Sequence, residues 1–266
     1  MEYCRLSTSF IISQRRPKIP WLKVISSSVT WANLGAILCH EIPVNVLFVF
    51  LPRYIRDVMK VSIQSNSLLS VLPIIFFLLS KIGASQLDHV LKKRYPDFCA
   101  TKLCKIFNSV ASLGLGAFLM AASFSGSKQV VLALTCLCLG TASAGLHTPG
   151  CLGTLVTMAP GFAGSLSGFA YFFISLTSIL NPLLIGAVVR QQSAAEWSLV
   201  FQFTSLVAFL PLVFFNLWGS AKEQPWSSLS SSKTVGKEQK NKEGKVVATI
   251  ATMRSSEKDQ SIAEKI

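Results

Sequence analysis

Six stretches of mostly apolar residues divide this chain, and no other feature limits its fold as tightly. They run roughly over 31–52, 65–83, 106–124, 129–152, 164–187 and 199–219. The hydrocarbon core of a bilayer is crossed by about 20 apolar residues in a helix. Inside that core every backbone N–H and C=O must be satisfied within the protein, which leaves helices or closed barrels. Runs of this length exclude barrel strands. Only 14% of the 266 residues are charged, against about a quarter in a soluble domain. The expected fold is therefore an all-α membrane protein of six transmembrane helices. It divides into an N-terminal segment (1–28), a six-span bundle (29–219) and a tail (220–266).

The formal net charge of +13 invites a nucleic-acid reading, but the positions of the charges do not fit one. Most basic residues lie between or beyond the apolar runs, as in membrane loops. An even number of spans puts both ends on one side. That side collects the N-terminal basic residues, Lys92, Lys93, Arg94, Lys102, Lys105 and the lysines of the tail. The opposite side has only Arg53, Arg56, Lys60, Lys128 and Arg190, with Lys81 near the end of the second run. The positive-inside rule then places both termini in the cytoplasm. The first 20 residues hold only a short apolar patch, Phe10–Ile12, too short for the apolar region of a signal peptide. The tail is rich in Ser, Lys and Glu and is expected to be disordered.

Within the first run stands the stretch LCHEIPVN, residues 38–45. A charge at the bilayer centre costs at least ~3 kcal/mol on insertion scales, so His40 and Glu41 need partners or water. Pro43 removes a helix hydrogen bond and frees the carbonyl of Cys39. Asn45 lies four residues beyond Glu41, on the same helix face. The resulting polar stripe should face the bundle interior, either as a solute or proton site or as an interhelix hydrogen-bond clamp. His147, beside Thr148 and Pro149, is a second polar residue in an apolar run, open to the same two readings. Pro43, Pro73, Pro149 and Pro182 are expected to interrupt four spans. Gly164 and Gly168 form a GxxxG pair of the kind that lets helix backbones approach in lipid. The seven cysteines have no zinc spacing and are read as unpaired apolar residues. No GxSxG, HExxH, Walker or Gly-rich phosphate motif occurs, so neither an enzyme nor a cofactor or metal site is expected.

The chain also resembles a known family through motifs spread from about Pro20 to Trp226. PWLKVISSSVTWA resembles a basic lead into a seventh helix, and LPRYIRDV (51–58) resembles the exit from it. NSLLSVLP (66–73) is similar to the family's NGLLSALP. Asp88 with the basic run Lys92, Lys93, Arg94 resembles its AD-x-LRSR turn. KIFN (105–108), APGFAGSLSGF (159–169), EWSLVF (196–201) and QPWS (224–227) follow in the family's order. The resemblance is to the C-terminal six-helix half of the anion–cation symporter branch of the major facilitator superfamily, the solute carrier 17 group. Two departures stand out. The family's NHLDIAP is replaced by Thr154–Pro160, TLVTMAP, without the His and Asp. In ILCHEI, His40 occupies the variable position of a seventh-helix motif that faces substrate in the family.

The resemblance implies transport of a small organic or inorganic anion by alternating access, coupled to a sodium ion or a proton. His40 would contact the solute or carry a proton, since an unperturbed imidazole titrates near neutrality. Glu41, Asn45 and His147 would line the site, and Asp88 with Lys92, Lys93 and Arg94 would form a cytoplasmic gating turn. A facilitator has two six-helix halves with the site between them, and one half is seen here. The expected partners are the lipid bilayer, the anion, and a second copy or a full-length relative. A non-transporting fragment and a membrane regulator are the alternatives. The membrane is expected to be plasma, lysosomal or vesicular.

Overall fold

A computed structural model describes residues 19–126 and 129–227. The chain divides into two units. One comprises 1–21 and 224–266, of which only 19–21 and 224–227 are described; there Ser227 N–H bonds the carbonyl of Gln224. The tail expected beyond Ser227 lies outside the described residues. The other unit, 22–223, is the helical bundle.

Among the described residues the bundle holds six helical spans long and apolar enough to cross a membrane. After a short turn of helix, Trp21–Ile25, they are α1 (Ser28–Tyr54), α2 (Ile63–Arg94), α3 (Ala100–Ser123), α4 (Val130–Gly145) with its continuation α5 (Gly153–Thr157), α6 (Ala163–Val188) and α7 (Ala194–Trp218). The expected six-span fold is what the chain adopts. The helices outrun the apolar runs that foretold them. α2 continues past the second run through Gln86, Asp88, Lys92 and Arg94, because these residues leave the hydrocarbon yet remain good or adequate helix formers.

Both ends of α7 are fixed by sequence. Ser193 caps its start and accepts from Glu196 N–H, while Glu196 Oε2 accepts from Ser193 N–H, the reciprocal capping box. Gly219 follows its last turn. α1 ends in a π-helical turn, Ile55–Met59, closed by Lys60 in the left-handed region at φ 51°. Asp57 in that turn is nearly enclosed. Arg53 Nε lies 3.5 Å from its carboxylate and Arg56 Nε 3.1 Å, and Trp197 Nε1 donates to it over 3.3 Å. This knot ties the end of α1 to the start of α7.

Pro43, Pro73 and Pro182 do not interrupt their spans. Each sits inside a continuous helix, as do Pro52 and Pro211. The fourth span alone breaks near a proline. A π-helical turn, Thr148–Leu152, separates α4 from α5, with Gly150 at ψ −113°. The expected GxxxG approach also differs: a Cβ built at Gly164 or Gly168 meets nothing within 4 Å. Close approach occurs at Gly145 instead. A Cβ there would lie 2.6 Å from Ser80 Oγ and 2.7 Å from the backbone nitrogen of Lys81. Ser80 Oγ donates to the carbonyl of Ala142 at the same crossing.

Two apolar clusters make the core. The larger joins Leu47, Leu51 and Tyr54 of α1 to Leu119, Leu137, Trp197 and Phe201. The smaller joins Leu34 and Ile37 of α1 to Cys151, Leu155, Ala170 and Phe215. Along α1 the seam between them falls at residues 38–43. Along the fourth span it falls between Ala144 and Cys151. Burial is uneven: the apolar windows of α2 and α6 are only 17% and 11% buried, against 39–50% for the other four.

Candidate functional site

The seam between the two clusters holds the polar residues singled out in the sequence. His40 projects from the middle of α1 and His147 from the turn that follows α4. Both are almost fully buried, at 1% and 3% exposure. Their rings stack with centroids 4.0 Å apart and planes tilted by 30°. His147 Nδ1 lies 2.9 Å from Cys151 Sγ, one turn on, across the broken stretch. His40 Nε2 has no hydrogen-bond partner among the described residues. A buried polar nitrogen without a partner costs free energy.

The other predicted residues of LCHEIPVN divide between two neighbours. Asn45 joins α1 to α6: its Nδ2 donates to Ser178 Oγ over 3.2 Å, and its Oδ1 accepts from Asn181 Nδ2 over 3.1 Å. Asn45 is thus a clamp between helices. Glu41 is half-buried and has neither a hydrogen bond nor an ion pair among the described residues. His40 and Glu41 diverge as adjacent helical residues must, about 100° apart.

The break in the fourth span lies against α3. The backbone nitrogen of Asn108 would be 3.0 Å from a Cβ at Gly150, so a larger residue there would push α3 away. Asn108 is fully buried, and among the described residues neither Oδ1 nor Nδ2 has a partner; Ser112 Oγ and Thr148 Oγ1 are likewise unpaired there. These groups extend the polar seam from α1 through the broken turn to α3.

The sequence sets Lys81 near the end of the second apolar run, yet it stands just past the middle of the 32-residue α2. Its backbone nitrogen lies 2.7 Å from a Cβ built at Gly145, two residues before His147. Its ammonium makes a cation–π approach to Phe77, 4.8 Å from the ring centroid. The signal that would have found it is the single cation between Ile63 and Asp88, in a stretch otherwise free of charge.

The expected gating residues lie at the far end of α2. Lys92 Nζ is 2.6 Å from Asp88 Oδ2, an i,i+4 pair on one helix. Asp88 Oδ1 is buried without a partner, and Lys93 and Arg94 are exposed with no ion pair among the described residues. The structure thus brings His40 and His147 together, ties Asn45 to α6, and leaves the Asp88 group as a separate cluster. Among the described residues no three His, Cys, Asp or Glu side chains gather as a metal site.

No protein-family model matches the chain. Individual relatives do. The putative inorganic phosphate cotransporter of Drosophila ananassae is 30% identical over 81% of this chain and 45% of its own length. Human sialin is 25% identical over 85% of this chain and 45% of its own. Vesicular glutamate transporter 1 of Xenopus laevis is 28% identical over 83% of this chain and 38% of its own. The chain spans less than half the length of the curated relatives it matches. The order of its motifs, its six apolar helices and these relatives agree: the chain is a homologue of the solute carrier 17 transporters, matching them over one part of their length.

Proposed function

We propose that the chain forms one six-helix half of a transporter for small anions, working by alternating access with a sodium ion or a proton as the coupled ion. The observation that carries this reading is the stacked His40–His147 pair, buried within two spans at the break in the fourth, with His40 Nε2 unpartnered among the described residues. Broken helices at membrane depth persist where they line a cavity or are buried in protein. In transporters, substrate sites lie near the midplane, at such breaks and between two repeats. The relatives named for phosphate and for glutamate support an anionic solute.

His40 and His147 contact the solute, and either imidazole can carry a proton through the cycle. Asn45 keeps α1 and α6 moving together, and Glu41 lines the path. The Asp88–Lys92 pair with Lys93 and Arg94 forms the gating turn at the cytoplasmic end of α2, with both chain termini on that side. The second half comes from another segment of the same protein, a second copy, or a full-length relative. The host membrane is plasma, lysosomal or vesicular.

The test is uptake of labelled phosphate and labelled glutamate into proteoliposomes by the full protein and by His40→Ala. The variant is expected to express and insert normally and to lose uptake. Normal uptake by His40→Ala would make the pair a packing element. A clamp role alone would show as lost stability with transport intact in the surviving protein.

A further inference from the structure

Lys81 carries a charge in the middle of a span and has no role in the transport cycle proposed above. Lys81 is the ionisable side chain of α2 at the level of the histidine pair, and it is only half-buried. It faces no carboxylate within ion-pair distance among the described residues. A lysine in the middle of a span faces a water-filled path or a partner group, because hydrocarbon does not solvate an ammonium. It is also held in register. The α2 backbone at Ser80 and Lys81 presses against Gly145, and Ser80 bonds the carbonyl of Ala142, so Lys81 is fixed against the turn of α4 that leads into His147. Glu41 follows His40 in α1, whose ring stacks on His147 two residues beyond Gly145, and no ion pair joins it to Lys81 among the described residues.

We propose that Lys81 anchors the negative charge of the transported anion, and that Glu41 is its counter-charge while the site is empty. This deepens the anion-transport reading and rests on it. A primary ammonium is a compact point charge with three donors, suited to a carboxylate or a phosphate oxygen rather than to a bidentate fork. The ring nitrogens of the two imidazoles offer the rest of the anion hydrogen-bonding groups. Because Lys81 and Glu41 are not in contact, a third charged group can enter between them. An anion at Lys81 displaces no existing salt bridge; it competes with a carboxylate that acts at a distance.

The proposal predicts an ammonium that solvent can reach and an anion can cover. The full protein in nanodiscs is treated with a water-soluble acetylating reagent, and the Lys81 peptide is quantified by mass spectrometry. Lys81 is expected to be modified, and inorganic phosphate or glutamate to protect it saturably where chloride at equal ionic strength does not. Glu41→Gln is expected to lower the half-protecting concentration several-fold. Lys81→Gln is expected to cut uptake by on the order of tenfold or more, the scale of a lost charge-assisted hydrogen bond, with Lys81→Arg recovering part of it. If Lys81 resists acetylation, or neither probe protects it, the role assigned to Lys81 is wrong. Uptake by wild type and Lys81→Gln alike would leave the transport reading standing and remove the anchor. Neither uptake nor protection in wild type would overturn both.

Discussion

Single residues decide what this bundle can do, and a cysteine outside the spans gives an independent check on its local chemistry. Cys99 is exposed and precedes α3. The backbone N–H groups of Lys102 and Thr101 lie near its sulfur, without closing a formal capping hydrogen bond, and hold its thiol below the ordinary value. Donors at a helix start stabilise the thiolate. The sign follows: at a pH below the usual thiol range, Cys99 carries more thiolate than an unperturbed cysteine. Among the described cysteines it is therefore expected to be alkylated by iodoacetamide first, with its rate rising at lower pH than that of the half-buried Cys39 or the buried Cys104, Cys136, Cys138 and Cys151. Peptide mapping after brief alkylation at several pH values checks this; uniform slow labelling would contradict it. At the same scale, His40 and Glu41 were visible in the sequence because ionisable residues stand out in an apolar run. The pairing of His40 with His147 was not visible. The two are separated by most of four helices, and nothing local to either tells which face meets the other. Lys81 was overlooked because the apolar run fades two residues after it, although the helix does not.

At the scale of elements, the six spans were legible because hydropathy reports the bilayer, and the helix ends were not because helicity continues beyond it. Prolines misled for a related reason. A proline removes one hydrogen bond and crowds one carbonyl, and a long helix packed on several neighbours absorbs that cost at Pro43, Pro73 and Pro182. The break falls where Pro149 is joined by Gly150 and where α3 presses on the chain. The glycine pattern misled too: GxxxG spacing marks a face able to pack, and the partner decides whether it does. Two substitutions separate these cases. Gly145→Ala puts a methyl against Ser80 and the α2 backbone, and overpacking of this kind costs ~1–3 kcal/mol. Gly164→Ala meets open space and should be close to neutral. Thermal unfolding in detergent is expected to show a clear loss for the first and little change for the second. Equal effects would mean that α2 and α4 do not meet as described. Gly145→Ala should also weaken anion protection of Lys81, since it moves the segment that carries it.

For the whole molecule, the question is what covers α2 and α6. Poor burial alone does not decide, because lipid tails receive apolar side chains as readily as another helix does. The polar groups do decide. Ile74 and Leu78 are exposed and lie seven and three residues before Lys81, on the same helical face. A face that carries an ammonium at mid-membrane is not a lipid face. The relatives, more than twice as long as the matched region, leave room for a second six-helix body, and the site in such proteins lies between two bodies. The expectation is that Ile74 and Leu78 are shielded from lipid in the native membrane, whereas Val110 and Leu113 on α3, equally exposed in this half, face it. A carbene probe dissolved in the bilayer, activated by light and mapped by mass spectrometry, distinguishes the two faces without altering the protein. Heavy labelling of Val110 and Leu113 with little at Ile74 and Leu78 places a second body against α2. Equal labelling of all four would put Lys81 at a lipid boundary, and the six helices would then stand alone, without the opposing half that alternating access requires.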